Sequence, residues 1–337
     1  MENSWNFSPV STHTDTTEYI CRLARTTQAL RTQSAPAPRL GEFKKITPEN
    51  MPEVWHYLQQ EKGRTTDFSY AGVLMWVDFF NYEYAVYDDT LFIKGVVEND
   101  LSLPAFSLPV GKLSLAESVE ILKEYCAANN MRLEFSAVPE YALEDMKALN
   151  PVNVEELKDW GDYLYTAEAL STLAGKKMCK KRNHVHQFEA AYTDWAALPL
   201  TAGNAKDAMK FMDVFDLEGD STDMAAAERQ LSRYLISRIA DGDTTLEGLI
   251  LYVDGEVCAY TIGDVKGDTL FVHVEKATRN VTGSYEMINY LFAQSMTRKH
   301  PEIEYINRED DSGDIGLRMA KESYHPVEIL KKYNITF

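Results

Sequence analysis

From about Phe43 onward, stretches with apolar residues at every second position alternate with stretches that space them by three and four. Met51, Val54, Trp55 and Leu58 fall on one side of a helix. Thr47-Pro48-Glu49-Asn50 predicts its start, with Thr47 as cap and Pro48 in the first turn. YAVYDDTLFIKGVV predicts a hairpin turned at Asp88-Asp89. PAFSLPVG predicts a further strand. SLAESVEILKEYCAANN predicts a helix in which Ser114 and Glu117 form a capping box. MRLEFSAVP then reads as a strand and YALEDMKAL as a helix.

The second half repeats this order. LEGLILYVDGEVCAYTIGDV predicts a hairpin whose Asp254-Gly255 turn is of type I′. TLFVHVEKA predicts a strand, TRNVTG a polar loop and SYEMINYLFAQSMTRK a helix. IEYINRED predicts a strand and IGLRMAKESY a helix, which ends at Tyr324-His325-Pro326 because the residue before proline resists helical angles. The same succession thus occurs twice, about 170 residues apart, without a repeat of the side chains. The expected seam lies at residues 150–175, dividing the chain into residues 41–160 and 161–337. The aromatic series FSYAGVLMWVDFFNYEYAV predicts core, since a segment this apolar needs burial first.

Composition narrows the partners. A chain of 337 residues is long enough for two domains of ordinary size. The formal charge of -18 disfavours nonspecific binding to DNA or to an anionic membrane, so a polyanion needs a local basic patch. Cys21, Cys126, Cys179 and Cys258 form no CxxC or Cys/His pattern, and read as free thiols of a cytoplasmic protein. No apolar run approaches the roughly 20 residues of a membrane span. Residues 1–40, with TQSAPAPRLG, predict a flexible arm carrying at most a short helix through Ile20, Leu23, Ala24 and Leu30.

The basic patch is GKKMCKKRNHVHQFEAAY, residues 175–192. Lys177, Lys180, Lys181 and His184 share one helical face, while Met178, Val185, Phe188 and Tyr192 share another. The face is either solvated surface with one internal ion pair or the anion-facing wall of a cleft. Arg182 leans toward the apolar side, where a guanidinium calls for a carboxylate or phosphate partner. On strand 271–277, Phe271, His273 and Glu275 share a side. Glu275 is a candidate general base, or the ion-pair partner of Arg182 or Arg308. Arg279 and Gly283 precede a helix N-terminus, where free N–H groups favour an anion. Asp310, Asp311 and Asp314 lack calcium-loop spacing and predict a turn with a helix N-cap; no metal is expected.

The order hairpin, strand, loop, helix, strand is that of the GNAT acyltransferase core. GKKMCKKRNHVHQF, FVHVEKATRNVTGSYEMIN and YINREDDSGDIGLRMAKESYHPVEILKKY resemble a bacterial family of unknown function, similar to the C-terminal domain of phosphatidylglycerol lysyltransferase. The resemblance runs from Phe43 to the end. It implies an α+β fold of two tandem GNAT-like (acyl-CoA N-acyltransferase-like) domains, each a mixed, largely antiparallel sheet flanked by helices. It also implies kinship with enzymes that move an aminoacyl group from aminoacyl-tRNA to an amine or hydroxyl of a lipid or of peptidoglycan. Such a site must deprotonate the nucleophile, steady an oxyanion and hold the tRNA 3′ end. Glu275 and His184 are then the candidate bases and Tyr324 the oxyanion donor. Lys177, Lys180, Lys181, Arg182, Asn183, His273, Arg279, Gly283 and Arg308 are the substrate-binding candidates. The acceptor is a small amine, lipid or peptide. Two alternatives stay open: an acyl-CoA donor, and a binding module that keeps the fold without the chemistry.

Overall fold

A computed structural model describes residues 38–218 and 223–337. The expected arm at residues 1–40, its short helix and Cys21 fall almost wholly outside the described residues.

Both predicted hairpins form where their turn residues tolerate left-handed backbone. Glu83–Tyr87 and Thr90–Val97 join through Asp88 (φ 43°) and Asp89 (φ 55°). Glu247–Val253 and Glu256–Lys266 join through Asp254 (φ 52°) and Gly255 (φ 80°). In each half the hairpin continues into a third antiparallel strand, Asp100–Phe106 or Thr269–Ala277. A crossover helix then leads to a parallel neighbour. Leu115–Ala128 leads to Glu134–Pro139, and Ser284–Lys299 leads to Tyr305–Asn307. Ser114 and Glu117 make both bonds of the expected capping box. The first helix starts later than its sequence signal. Thr47-Pro48 forms a turn in which the Thr47 N–H donates to Asn50 Oδ1 (2.8 Å), and the helix begins at Met51 with Pro52 in its first turn. Helices Ala205–Glu218 and Asp223–Ala240 were not predicted.

The described strands form two mixed sheets flanked by helices, the expected GNAT-like arrangement. The first sheet, however, is completed by a strand from the second half. Lys332–Thr336 lies between Glu134–Pro139 and Asn153–Glu156 in the first sheet, antiparallel to both. Asp162–Thr166 lies between Tyr305–Asn307 and Glu328–Leu330 in the second, again antiparallel to both. The first sheet is therefore not one contiguous length of chain, whereas the second runs from Asp162 to Leu330.

The larger core crosses the seam as well. It joins Phe92, Phe106 and Phe135 of the first sheet to Leu235, Tyr260 and Val274 of the second half. The aromatic segment supplies Phe68, Tyr70, Leu74 and Met75 to it, as its composition required. Two ion pairs fasten the halves at the same level. Lys266 meets Glu61 at 2.5 Å, both buried, and Arg64 makes a two-pronged bond to Asp268.

Candidate functional site: a charged cavity between the halves

A cavity of about 400 Å³ lies where the halves meet. Asp67, Trp76, Tyr82 and Glu98 reach it from the first half, and His273, Glu275, Arg308 and Lys321 from the second. The strand Lys332–Thr336 adds Lys332. The site residues singled out from sequence all lie in the second half; the helix Tyr70–Trp76, with Asp67, Tyr82 and Glu98, makes the cavity wall a joint product.

Three nodes hold this wall. Asp162, fully buried on strand Asp162–Thr166, gathers donors from three segments. Its Oδ2 accepts from the Thr66 N–H (2.7 Å), Thr66 Oγ1 (2.9 Å) and Asn307 Nδ2 (2.9 Å). Its Oδ1 faces Lys332 Nζ at 2.9 Å, and Asp67 takes the same ammonium at 2.9 Å. Burial opposes the charge on Lys332, but Asp162 and Asp67 outweigh it and hold the ammonium well above its ordinary value.

The second node is His273. Ile262 pairs with Val274 and Gly263 with Val272, so His273 stands out of the ladder as a bulge. A Cβ at Gly263 would sit 2.2 Å from the Phe271 carbonyl oxygen, which is why this crossing needs glycine. The bulge breaks the simple alternation, and Val272, His273, Glu275 and Lys276 all reach the cavity. The imidazole bridges Asp264 Oδ2 (Nε2, 2.7 Å) and Glu309 Oε1 (Nδ1, 2.8 Å). Asp264 also accepts the Tyr70 and Ala71 N–H groups at the start of helix Tyr70–Trp76. Burial pulls the imidazole pKa down, yet the two carboxylates prevail and push it up to about 10. His273 is therefore a cation at neutral pH, holding Glu309 at the cavity.

The third node pairs Glu275 with Arg308. Arg308 Nη2 donates to Glu275 Oε1 at 2.7 Å, and Asn289 Nδ2 donates to Glu275 Oε2 at 2.9 Å. Of the two guanidinium partners open from sequence, Glu275 takes Arg308, not Arg182. The Arg308 guanidinium lies 4.7 Å over the Tyr324 ring, and its Nη1 is closed to solvent without a hydrogen-bond partner. Beside it Lys321 donates Nζ to the Asp310 carbonyl, and burial depresses the amine, Glu309 and Asp310 offsetting only part. Lys321 was missed in the sequence, although Leu317, Lys321 and Tyr324 share a helical stripe on which a lysine is anomalous. Glu98, in the turn after Val97, and Lys332, beyond the second half's last helix, carry no local signal.

The basic stretch forms the helix Cys179–Ala191. It buries Met178, Val185 and Phe188 in the second core, while Lys177, Lys180, Asn183 and His184 face solvent. That face does not line the cavity. Of Lys177, Lys180, Lys181 and His184, Lys181 alone turns inward, 3.3 Å from Glu286 and 4.0 Å over the Tyr324 ring. The expected carboxylate or phosphate partner of Arg182 is replaced by backbone. Its Nη1 donates to the carbonyls of Leu173 and Gly175 past the end of helix Ala167–Thr172, where Leu173 is left-handed. Arg279 is exposed. Gly283 (φ 77°) abuts this helix so closely that a Cβ would lie 2.5 Å from the His184 carbonyl oxygen. Tyr324 is buried behind Arg308, its hydroxyl kept protonated because burial raises it more than Arg308 lowers it. The aspartates make the expected turn and cap: Asp314 accepts the Leu317 N–H, and Asp311 binds Arg318, which holds its carboxyl down to about 2.

Two GNAT-like sheets around one charged cavity define an acyltransferase-like protein. Residues 59–336 match the model of the family described as phosphatidylglycerol lysyltransferase, C-terminal, and the chain belongs to that family. A conserved protein of unknown function from Bacteroides thetaiotaomicron is 31% identical, with a TM-score of 0.78 over 88% of this chain and 99% of that one. The structure of L-PGS from Bacillus licheniformis superposes with a TM-score of 0.59 at 12% identity, over 87% of this chain and 92% of that one. An uncharacterised protein of Mycoplasmoides gallisepticum is 25% identical over 174 residues, 51% of this chain and 54% of that protein. The chain thus spans about half the length of the curated relative it matches. Among the described residues no helix is long and apolar enough to cross a membrane.

Proposed function

We propose that this protein transfers an aminoacyl group from aminoacyl-tRNA to an amine or hydroxyl on a small molecule, lipid or peptide. The observation that carries this is Arg308, a cavity-lining guanidinium whose Nη1 has no hydrogen-bond partner, in the phosphatidylglycerol lysyltransferase C-terminal family. The acceptor nitrogen or oxygen attacks the ester carbonyl carbon, and the new bond pushes negative charge onto the carbonyl oxygen. Arg308 Nη1 stabilises that oxygen, which water reaches poorly here. Glu275 uses both oxygens on Arg308 and Asn289, so it orients the guanidinium and leaves proton removal to another group. Lys321 in its neutral form takes the proton from the nucleophile. Collapse breaks the ester C–O bond, and the tRNA 3′ oxygen leaves with the proton from Lys321. The exposed Lys177, Lys180 and His184 offer phosphate contacts outside the cavity.

An acyl-CoA donor is the weaker alternative, because helix Cys179–Ala191 already fills the space beside Gly283 where a pyrophosphate would bind. The test is transfer of labelled amino acids from a mixed aminoacyl-tRNA pool to amine, lipid and peptide acceptors. Transfer that disappears in Arg308→Gln supports the proposal. No transfer from any donor, or full activity in Arg308→Gln, refutes it. Protection of the chain by coenzyme A in a thermal melt would favour the alternative.

A further inference from the structure

We propose that the end of the cavity walled by Asp67, Tyr82, Glu98 and Asp310 is a subsite for a primary ammonium group. This rests on the transferase reading, in which an amine of either the donor aminoacyl group or the acceptor has to be held.

Glu98 stands in the turn between Thr90–Val97 and Asp100–Phe106, its N–H 3.2 Å from Ser136 Oγ. Its side chain reaches the cavity, where Oε2 is closed to solvent and accepts no hydrogen bond. A buried carboxyl whose neighbour is another carboxyl rather than an N–H donor is a cost that folding alone does not explain. Asp67 Oδ2 likewise accepts no aligned N–H; beside it lie the Lys332 ammonium, at 2.9 Å, and the Glu98 carboxyl, with which Asp67 shares a hydrogen bond. Lys332 is already shared with Asp162, so the carboxyl groups at this end outnumber the cation that serves them. An ammonium brings three N–H donors and one positive charge, the complement of such a pair. Trp76, Phe80 and Tyr82 line the same end, Phe80 lying 5.6 Å from each of the other two rings. Aromatic faces attract an organic cation and shelter its alkyl carbon. A metal ion is the poorer fit: among the described residues no three His, Cys, Asp or Glu side chains are grouped to hold one.

Proton linkage makes the subsite testable. Burial, and then the neighbouring Asp67 carboxylate, keep the Glu98 carboxyl well above the usual range despite Lys332. The groups facing it are Asp67 on the turn Thr66–Phe68, Lys332 on strand Lys332–Thr336, Asp310, and the Tyr82 hydroxyl. In the empty cavity Glu98 holds a proton. An entering ammonium replaces that proton with its own N–H donors, and the proton leaves to solvent.

Titration calorimetry of the full chain in two buffers of different ionisation enthalpy reads both binding and proton release. The probes are L-alaninamide, 1,5-diaminopentane and, as an uncharged control, N-acetyl-L-alaninamide. At least one ammonium probe is expected to bind with proton release, and the control is not. Preference for alaninamide identifies a donor amine, and preference for the diamine an acceptor amine. Glu98→Gln should weaken binding roughly tenfold or more and abolish the proton release. Should that variant fail to fold, the wild-type chain alone decides, since ammonium binding without proton release overturns the subsite. So does an absence of binding by either amine at millimolar concentration, or an unchanged affinity in Glu98→Gln. Aminoacyl transfer without ammonium binding removes this subsite and leaves the transferase proposal standing; absence of both removes the two together.

Discussion

Replacing Lys332 with methionine keeps the length of the side chain and deletes one buried charge. The ammonium side chain is 3% exposed, Asp162 0% and Asp67 11%, and both contacts are 2.9 Å long. Asp162 would keep its donors on Oδ2, from Thr66 and Asn307, but Oδ1 would lose the group that faces it. Removing one partner of a buried ionic cluster costs about 3–5 kcal/mol, because the remaining charge stays desolvated. Native stabilities are about 5–15 kcal/mol, so the expected loss is a large share of the whole. Urea unfolding followed by circular dichroism at pH 7 measures it. The pH dependence is equally specific. Asp162 has its folded value depressed, so its contribution is present above about pH 3.9 and is lost as pH falls through the folded value. Lys332 is raised, so its contribution is complete below about pH 10.4 and is lost only as pH climbs through the folded value. The contribution of the Asp162–Lys332 pair is therefore flat between those limits. In Lys332→Met the two carboxylates have no cation and take up protons more readily, so the gap from wild type narrows as pH falls toward 4. A deficit under about 1 kcal/mol at pH 7 would refute the view that this cluster joins the halves.

His273, held up to about pH 10 against roughly 6.5 in an unfolded chain, contributes stability in full below pH 6.5 and loses it as pH rises toward 10. Its ring nitrogens should accordingly show the protonated NMR signature at pH 7.5, and a neutral ring there would contradict the double carboxylate clamp. Gly283→Ala forces a methyl toward the His184 carbonyl at a left-handed residue, at an expected cost of about 1–3 kcal/mol; an unchanged Tm would show that the helix contact is loose. Arg308→Lys retains the charge but loses the planar fork between Glu275 and the cavity, and should reduce aminoacyl transfer by about 10²-fold with little change in Tm. Equal rates for Arg308→Lys and wild type would remove Arg308 from the chemistry.

What was legible in the sequence was local. Asp88-Asp89, Asp254-Gly255 and the Ser114/Glu117 pair each determine a turn or a cap within a few residues, and all three form as expected. The repeated order of elements predicted two like sheets because each sheet is laid down mostly in sequence. The placing of Lys332–Thr336 in the first sheet left no such trace, since the strand satisfies its own alternation in either sheet. The pairing of Glu275 with Arg308 was within reach, as one residue ends a strand beside the parallel strand that leads into the other. Arg182 misled because backbone carbonyls past a left-handed Leu173 satisfy a guanidinium as well as a carboxylate does. Glu98 and Lys332 were out of reach, because only the long-range pairing brings a hairpin turn and the strand Lys332–Thr336 to one cavity.

The strand Lys332–Thr336 bears on how the protein is made. A ribosome releases the first half long before Lys332–Thr336 has been translated, and until then the gap between Glu134–Pro139 and Asn153–Glu156 is open. The first sheet waits for a strand translated long after its own, with two bare edges facing each other, which is a standing invitation to chaperones or to a strand from a neighbouring nascent chain. Maturation of the cavity thus follows the synthesis of Lys332–Thr336, and Lys332, which lies on the strand that closes the gap, adds its positive charge to the pocket.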